Sequence, residues 1–344
     1  MKKNVHTAGK SRKQKKIMLL ILEFVIILLL AIALFITTKL SKIEKNKLDM
    51  NDVSINDDLS DETKEAMAHY KTIALFGLDN RSNGSLSKGN SDVIMLANID
   101  TKQHTINLVS VYRDSYLDTG NGTYQKCNAA YAKGGPEQAL SMLNTNLDLA
   151  ITDYVTVDFN AIIECVDLLG GVDITITDDE ASLMIGYMKE LNELTGHNST
   201  PPASGGTYTL DGVQACAYAR IRYGGGDDAK RTSRQRIVIN LMVQKLKQNP
   251  TKIPEILDKV MGNVSTSLTK NEILELGMHA VTYTMGTSYA YPFQLCYGEN
   301  VVNALGEDVA IPVTLEFNVR ELHEYLYPGL SYEPSAAVTE YSDY

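Results

Sequence analysis

Six basic side chains fall within the seventeen residues RIRYGGGDDAKRTSRQR at positions 220–236, and five of the six are arginine. The planar guanidinium fork matches phosphate and carboxylate oxygens, where lysine offers only a point charge. Arg220 and Arg222 stand two apart, so in an extended segment both project from one side. Arg231 and Gln235 stand four apart at the start of a helix, on one face, where the helix dipole also favours an anion. Gly224, Gly225 and Gly226 between the two pairs let the backbone fold them together. A solvated face, or ion pairs with Asp227 and Asp228, would account for an arbitrary basic cluster. The arginine bias and the paired spacing favour an anionic, phosphorylated ligand instead.

A second group is acidic. Asp79 follows the apolar run IALFGL that starts at Ile73, Asp92 opens DVIMLANI, and Arg113-Asp114 closes INLVSVY. If these runs are neighbouring strands, a strand end and a strand start meet at one sheet edge and bring Asp79 and Asp92 close. Two carboxylates with no nearby His or Cys suit a hard cation such as Mg²⁺, which takes a few carboxylates plus phosphate oxygens. As plain turn and strand-cap residues they would have an ordinary structural role.

The elements that must hold these groups alternate in type. Strands are expected over Ile73–Leu78, Val93–Ile99 and Ile106–Tyr112, the last two joined as a hairpin by the polar Asp100–His104. A helix is expected over Pro136–Leu147, a strand over Tyr154–Asp158, and a helix over Phe159–Leu169 closed by Gly170 and Gly171. A strand over Val172–Thr177, a helix over Asp179–Leu194, a loop over His197–Thr207 and a long helix from Arg231 to Gln248 follow. The pattern predicts an α/β (α+β) fold: one extracytoplasmic domain with a mixed central sheet flanked by helices, preceded by one transmembrane helix. No internal repeat is present.

With 44% hydrophobic and 22% charged residues, the 344-residue chain is neither a disordered polymer nor a disulfide-stapled miniprotein. The net charge of −10 is a balance of +9 over residues 1–48 against −19 over the rest. An acidic body is not the profile of a nucleic-acid binder. The basic head instead flanks Ile17–Thr38, twenty-two residues broken by one charge, Glu23, and long enough to cross a bilayer as a helix. The positive-inside rule makes 1–16 a cytoplasmic tail and puts the chain beyond about residue 40 outside. The rival is a cleaved signal peptide at Ala31-Ile32-Ala33, but that triplet lies inside an apolar run longer than a signal core. Residues 39–70, polar and free of Gly and Pro, are expected to be a spacer, 71–248 the catalytic domain, and 249–344 an extension of that domain with a tail. Cys127, Cys165, Cys216 and Cys296 show no metal-binding spacing and read as small apolar residues ahead of disulfide partners.

In order, IALFGLDNR (73–81), SDVIML (91–96), SVYRD (110–114), KCNAAYAKGG (126–135), YVTVDF (154–159), GGV (170–172) and YARIR (218–222) through RQR (234–236) resemble the motifs of the LytR-CpsA-Psr family of Gram-positive cell-wall enzymes. The resemblance covers Lys71 to Gln248 and extends more weakly beyond, as at VSTSLT from Val264. It implies a membrane-anchored phosphotransferase that takes a glycopolymer (teichoic acid, capsule or a related wall glycan) from a polyprenyl pyrophosphate carrier. The acceptor it implies is peptidoglycan, joined through a phosphodiester. By that resemblance Asp79 and Asp92 hold Mg²⁺, or Mn²⁺ in its place. Arg113, Lys126, Arg220, Arg222, Arg231 and Gln235 grip the pyrophosphate, with Asp92, Arg113, Asp114 and Arg220 as the catalytic group. Asp92 and Asp114 are the candidates for general base. The lipid tail needs an apolar tunnel, expected between the sheet and the 179–194 helix, at Leu183, Met184, Ile185, Tyr187 and Met188.

Two positions depart from the family pattern. Tyr112 stands where proline usually precedes the Arg-Asp pair, and Cys127 replaces an aliphatic residue. Two other functions compete: a polyprenyl-(pyro)phosphate binding or hydrolysing domain without transfer, and a membrane-bound transcriptional attenuator. Sixteen residues ahead of the membrane segment are too few for a helix-turn-helix, which weighs against the attenuator.

Overall fold

Near-continuous apolar runs, such as VIMLANI at 93–99, produce a sheet covered on both faces, and the two faces do different jobs. The computed structural model describes residues 44–45, 48–79, 86–222, 228–279 and 281–342. The expected tail 1–16, the membrane span 17–38 and the Gly224–Gly226 run lie outside the described residues. Among the described residues no helix is long and apolar enough to cross a membrane.

In chain order the elements begin β1 (Glu44–Lys45), α1 (Asp61–Ala68), β2 (Tyr70–Leu78), β3 (Ser91–Asp100), β4 (Thr105–Val111), β5 (Tyr116–Asp118), β6 (Tyr124–Lys126) and α2 (Ala129–Leu147). Next come β7 (Asp153–Val157), α3 (Phe159–Leu168), β8 (Val172–Ile176), α4 (Asp178–Thr195), β9 (Gly206–Leu210), α5 (Gly212–Arg220) and α6 (Asp228–Gln248). The rest are α7 (Ile253–Val260), β10 (Val264–Thr266), α8 (Lys270–His279), β11 (Thr284–Tyr291), β12 (Leu295–Cys296), α9 (Glu299–Leu305), β13 (Ile311–Pro312), α10 (Leu315–Leu326) and α11 (Ala336–Ser342).

Seven strands form the mixed sheet, in the order β1-β10-β7-β2-β3-β4-β11. The expected β3–β4 hairpin is present, with Asp100 opposite Thr105. The strand over 172–177 does not join this sheet. It pairs with β9 in a separate ribbon, and β9 includes part of the expected 197–207 loop. The helix expected at Pro136 starts earlier, at Ala129, with non-helical Gly134 and Gly135 at the junction where Pro136 resumes it. Helix α5 was not foreseen, although Asp211 and Gln214 form a reciprocal capping box at its start. It lies hard against α3: a Cβ on Gly212 would come within 2.3 Å of the Ile163 carbonyl oxygen.

One face of the sheet packs Phe76, Leu78, Ile94, Leu96, Val109 and Val111 against α2 and α10. The spacer expected over 39–70 is not free chain from Leu48 onward, because Val53, Leu59 and Met67 are buried in this core and hold α1 on the domain. Val319, Leu322 and Leu326 of α10 occupy the same core, so the C-terminal extension completes the domain.

A buried polar knot fastens that extension. The Asp148 carboxylate, at the left-handed end of α2, accepts from Asn56 Nδ2, the Tyr332 hydroxyl and the Ser335 amide. His323 stacks on Tyr332 at 3.8 Å and places Nε2 3.0 Å from the Leu147 carbonyl oxygen. Burial lowers the His323 pKa from 6.5 to about 4, against the opposing pull of Leu147 and Asp148. The folded pKa lies below the unfolded value, so the stability this site contributes is complete above pH 6.5 and is lost as pH falls toward 4. Thermal unfolding should therefore show a decline in melting temperature between pH 6.5 and 4 that His323→Phe flattens. An equal decline in the variant would exclude His323 as its source.

Candidate active site

The ends of β2 and β3 carry the site. Gly77 pairs with Val93 and Leu78 with Ser91, which leaves Asp92 as an extra residue, a β-bulge. Strict alternation would send Asp92 and Val93 to opposite faces, yet with the bulge both line one cavity. A Cβ on Gly77 would lie 2.9 Å from the Val93 Cβ, so a glycine lets the strands close at this point. The same pairing puts Asp79, the residue after β2, at the edge where Asp92 stands. Asp79 is half-buried and lies outside the cavity lining. Among the described residues no group of three or more His, Cys, Asp or Glu side chains could hold a metal ion.

The cavity has a volume of about 500 Å³ and lies between the second sheet face and helices α3, α5 and α6. Its floor and walls are apolar: Leu75, Met95 and Val155 from the sheet, Ile162 from α3, Ala219 from α5, and Ile239 and Met242 from α6. Its mouth is polar, formed by Asp92, Arg113, Arg220, Arg222, Arg231 and Gln235. The tunnel expected against α4 is therefore displaced. Of its five proposed residues only Tyr187 lines the cavity; Met184 and Met188 are fully buried core, Leu183 packs on that core and Ile185 is exposed. The physical reason is that α5 and α6, not α4, lie over the central strands. A stripe on α6 signals this in the sequence: Arg231, Gln235, Ile239 and Met242 follow helical spacing from charged mouth to apolar floor.

Arg231 and Gln235 share one face of the first turns of α6, as their spacing implies. Arg220 and Arg222 do not share an extended segment: Arg220 is the last residue of α5, and Ile221 is its cap. Both still reach the mouth because the chain turns between them. Arg220 stacks over Phe159 at 4.9 Å and Tyr187 at 5.4 Å, and its Nη2 donates to Glu190 at 3.0 Å. Arg113 Nη1 donates to Asp92 Oδ1 at 2.7 Å, and Arg231 Nη2 to the Asp92 carbonyl oxygen at 3.4 Å. Lys126 lies behind the mouth, 3.2 Å from Asp114 Oδ1, and Arg222 Nη2 sits 3.5 Å from both Asp114 and Asp228.

Asp228, absent from the expected set, is central to this network. It pairs with Arg231 at 3.1 Å and shares Arg222 with Asp114. Burial raises its pKa, Arg231 opposes that, and the Asp114 charge adds to it. Asp114 goes the other way: burial raises it, but Arg113 and Lys126 pull it below the ordinary carboxylate value. For Arg113 burial works against the charge, and Asp92 and Asp114 outweigh it, so its pKa rises. Arg231, the most buried of the set, is lowered by burial despite Asp228.

Four arginine nitrogens here, Arg113 Nε, Arg220 Nη1, Arg222 Nε and Arg231 Nε, are buried with no hydrogen-bond partner among the described residues. Buried donors left unmade are costly, of order 1–3 kcal/mol each and more for charged groups. The guanidinium groups of Arg113, Arg220, Arg222 and Arg231 nevertheless gather at one mouth and concentrate positive charge there.

The two departures from the family pattern are also placed. The Tyr112 amide donates to the Tyr291 carbonyl oxygen at 2.9 Å, a bond proline cannot make, and so ties Arg113 to the C-terminal strand β11. Cys127 is fully buried with its Sγ 3.2 Å from the Tyr112 carbonyl oxygen, and burial raises its pKa. All four cysteines are free thiols.

The LytR_cpsA_psr family model matches residues 31–286. The chain is similar to an Enterococcus faecalis protein named polyisoprenyl-teichoic acid--peptidoglycan teichoic acid transferase TagU, 30% identical over 211 residues, 60% of this chain and 64% of that relative. The match thus spans a little under two thirds of the relative's length. TagT bound to LI-WTA has the same fold, with a TM-score of 0.61 at 21% identity over 83% of this chain and 98% of that one. YwtF (TagT), a LytR-CPS2A-psr family protein with bound octaprenyl pyrophosphate lipid, superposes with a TM-score of 0.56 at 21% identity over 77% and 92%.

A charged mouth over an apolar cavity predicts separable contributions to binding. If the cavity receives an apolar tail, Ile239→Asp should lower the affinity for a polyprenyl pyrophosphate probe by about tenfold or more while leaving inorganic pyrophosphate unaffected, as read by titration calorimetry. Parallel losses for both ligands would mean that the apolar cavity does not receive the tail.

Proposed function

The chain belongs to the LytR_cpsA_psr family, and from that premise we propose that it is a membrane-anchored phosphotransferase acting outside the cell. Its substrate in this reading is a wall glycopolymer on a polyprenyl pyrophosphate, teichoic acid being the class named for its relatives, and its acceptor is peptidoglycan. The observation that carries the reading is the cavity: four arginines and Gln235 at its mouth and an apolar interior behind them. An anion with a long apolar tail satisfies both halves. The basic tail 1–16 and the apolar run 17–38 supply the anchor in this reading, with the N-terminus in the cytoplasm.

In the proposed reaction the acceptor hydroxyl attacks the phosphorus that bears the glycan. A new P–O bond forms to the acceptor, the P–O bond to the lipid phosphate breaks, and polyprenyl phosphate leaves. Arg220, Arg222, Arg231, Gln235 and Arg113 hold the diphosphate and neutralise the charge that develops on it. Lys126 acts one step back, through Asp114. Of the two candidate bases, Asp92 lines the cavity and pairs with Arg113, whereas Asp114 is engaged by Lys126 and Arg222. The acceptor proton passes to one of these two carboxylates.

The oxygen-only donors at the strand ends fit a hard cation. Arg113 engages Asp92 Oδ1, and its other oxygen, with Asp79 at the same edge, would hold Mg²⁺ or Mn²⁺. Bound there, the cation would offset phosphate charge during transfer.

The purified chain, incubated with lipid-linked polymer, Mg²⁺ and peptidoglycan, is expected to leave polymer covalently on the wall material, and EDTA is expected to stop it. Arg220→Ala and Asp92→Ala should each cut turnover by about 10²-fold or more with thermal unfolding little changed. Lipid phosphate released without polymer on the wall would replace transfer by hydrolysis, and wild-type rates in either variant would refute the site.

A further inference from the structure

Arg220 and Arg222 flank Ile221, the fully buried residue where α5 ends. A chain leaving a helix has carbonyls without ladder partners. The Ile221 carbonyl finds one in Arg234 Nη1, at 3.3 Å. Arg234 stands on α6 one turn beyond Arg231 and beside Gln235, but it does not line the cavity. Its side chain is 7% exposed, lies over the Tyr218 ring at 5.8 Å, and donates from Nε to Glu180 Oε1 at 2.9 Å. The second Glu180 oxygen accepts from the Thr177 amide at 3.0 Å, within the capping box that starts α4.

One guanidinium thus joins three helices. It receives its orientation from the start of α4, and it fixes the turn of α5 that aims Arg220 and Arg222 relative to the α6 face bearing Arg231 and Gln235. A buried ion pair is weak evidence for stability, since the desolvation of both charges can exceed their attraction. What the pair supplies is geometry: the fork serves Glu180 and the Ile221 carbonyl together, in fixed directions that a lysine cannot reproduce.

We propose that Arg234, oriented by Glu180, is a positioning residue that sets the spacing between the Arg220–Arg222 and Arg231–Gln235 pairs of the anion site. The proposal rests on the pyrophosphate reading of that site. The test is calorimetric titration of inorganic pyrophosphate into the full chain, with thermal unfolding measured in parallel. Arg234→Lys keeps the charge and loses the fork, and it should weaken binding about tenfold. Glu180→Gln should weaken it about three- to tenfold, although its side chain is remote from the mouth. In a double-mutant cycle, Arg234→Lys should add little in an Arg222→Lys background, because both changes spoil one alignment.

Wild-type affinity in either single variant, or fully additive losses in the cycle, would overturn the positioning role. If Arg234→Lys fails to fold, Glu180→Gln decides alone, with unchanged affinity overturning the role. Absence of pyrophosphate binding by the unaltered chain would overturn the site reading and this proposal with it.

Discussion

Holding several guanidinium groups out of water at the rim of an apolar cavity is the constraint around which the rest of this structure is arranged. Each buried cation needs compensation, and the protein gives each a carboxylate: Asp92 for Arg113, Glu190 for Arg220, Asp114 and Asp228 for Arg222, and Asp228 for Arg231. Compensation stops short of completion, because among the described residues one nitrogen on each arginine is buried without a hydrogen-bond partner. A fully paired cluster would be a structural ion network with little to offer a ligand. A wholly unpaired one would not fold. The observed state lies between the two, with the guanidinium groups held by carboxylates yet gathered at the cavity mouth.

The two sheet faces divide the cost of this arrangement. The face toward α2 and α10 is continuous core, with Phe76, Leu78, Ile94 and Leu96 essentially inaccessible. The opposite face is interrupted by the cavity, so Leu75, Val93 and Met95 border open space where a close-packed interior would have neighbours. Helices α3, α5 and α6 roof that space, and their mutual packing must be tight where it is made. Gly212, with no room for a Cβ against Ile163, marks one such contact. Away from the cavity, Ile73 and Ile99 of the sheet form a separate small core with Leu268 and Tyr283 of the C-terminal part.

What the sequence could reveal follows from the range of the interactions involved. The Arg231–Gln235 pair was legible because both residues sit on one helix, where spacing dictates the face. The placement of Asp79 and Asp92 at one edge is legible only on the condition that their strands are neighbours, which the pairing of β2 with β3 supplies. The Arg220–Arg222 geometry was not, because an extended segment and a helix end with a turn can both bring two such residues to one place. Asp228 was read as a local ion-pair partner and missed as a shared carboxyl, since its link to Asp114 joins residues more than a hundred positions apart. The tunnel wall was misplaced for a similar reason. An amphipathic α4 and an amphipathic α6 look alike in periodicity, and only the order in which helices cross the sheet decides which one roofs the cavity.

Tyr112 shows how far the edge that carries Arg113 and Asp114 depends on distant chain. A proline before Arg113 would fix the local backbone by its own ring and need no partner. Here the position has an amide hydrogen, and β11 receives it through Tyr291. β11 in turn pairs with β4 over Thr105–Val111, and the Asp114 carbonyl oxygen accepts from the Ala310 amide at 2.8 Å. Arg113 and Asp114 are thus held from both sides by residues of the C-terminal extension. The local rigidity that proline would supply is replaced by tertiary contacts, and the residues beyond Gln248 become part of the machinery that aims the site.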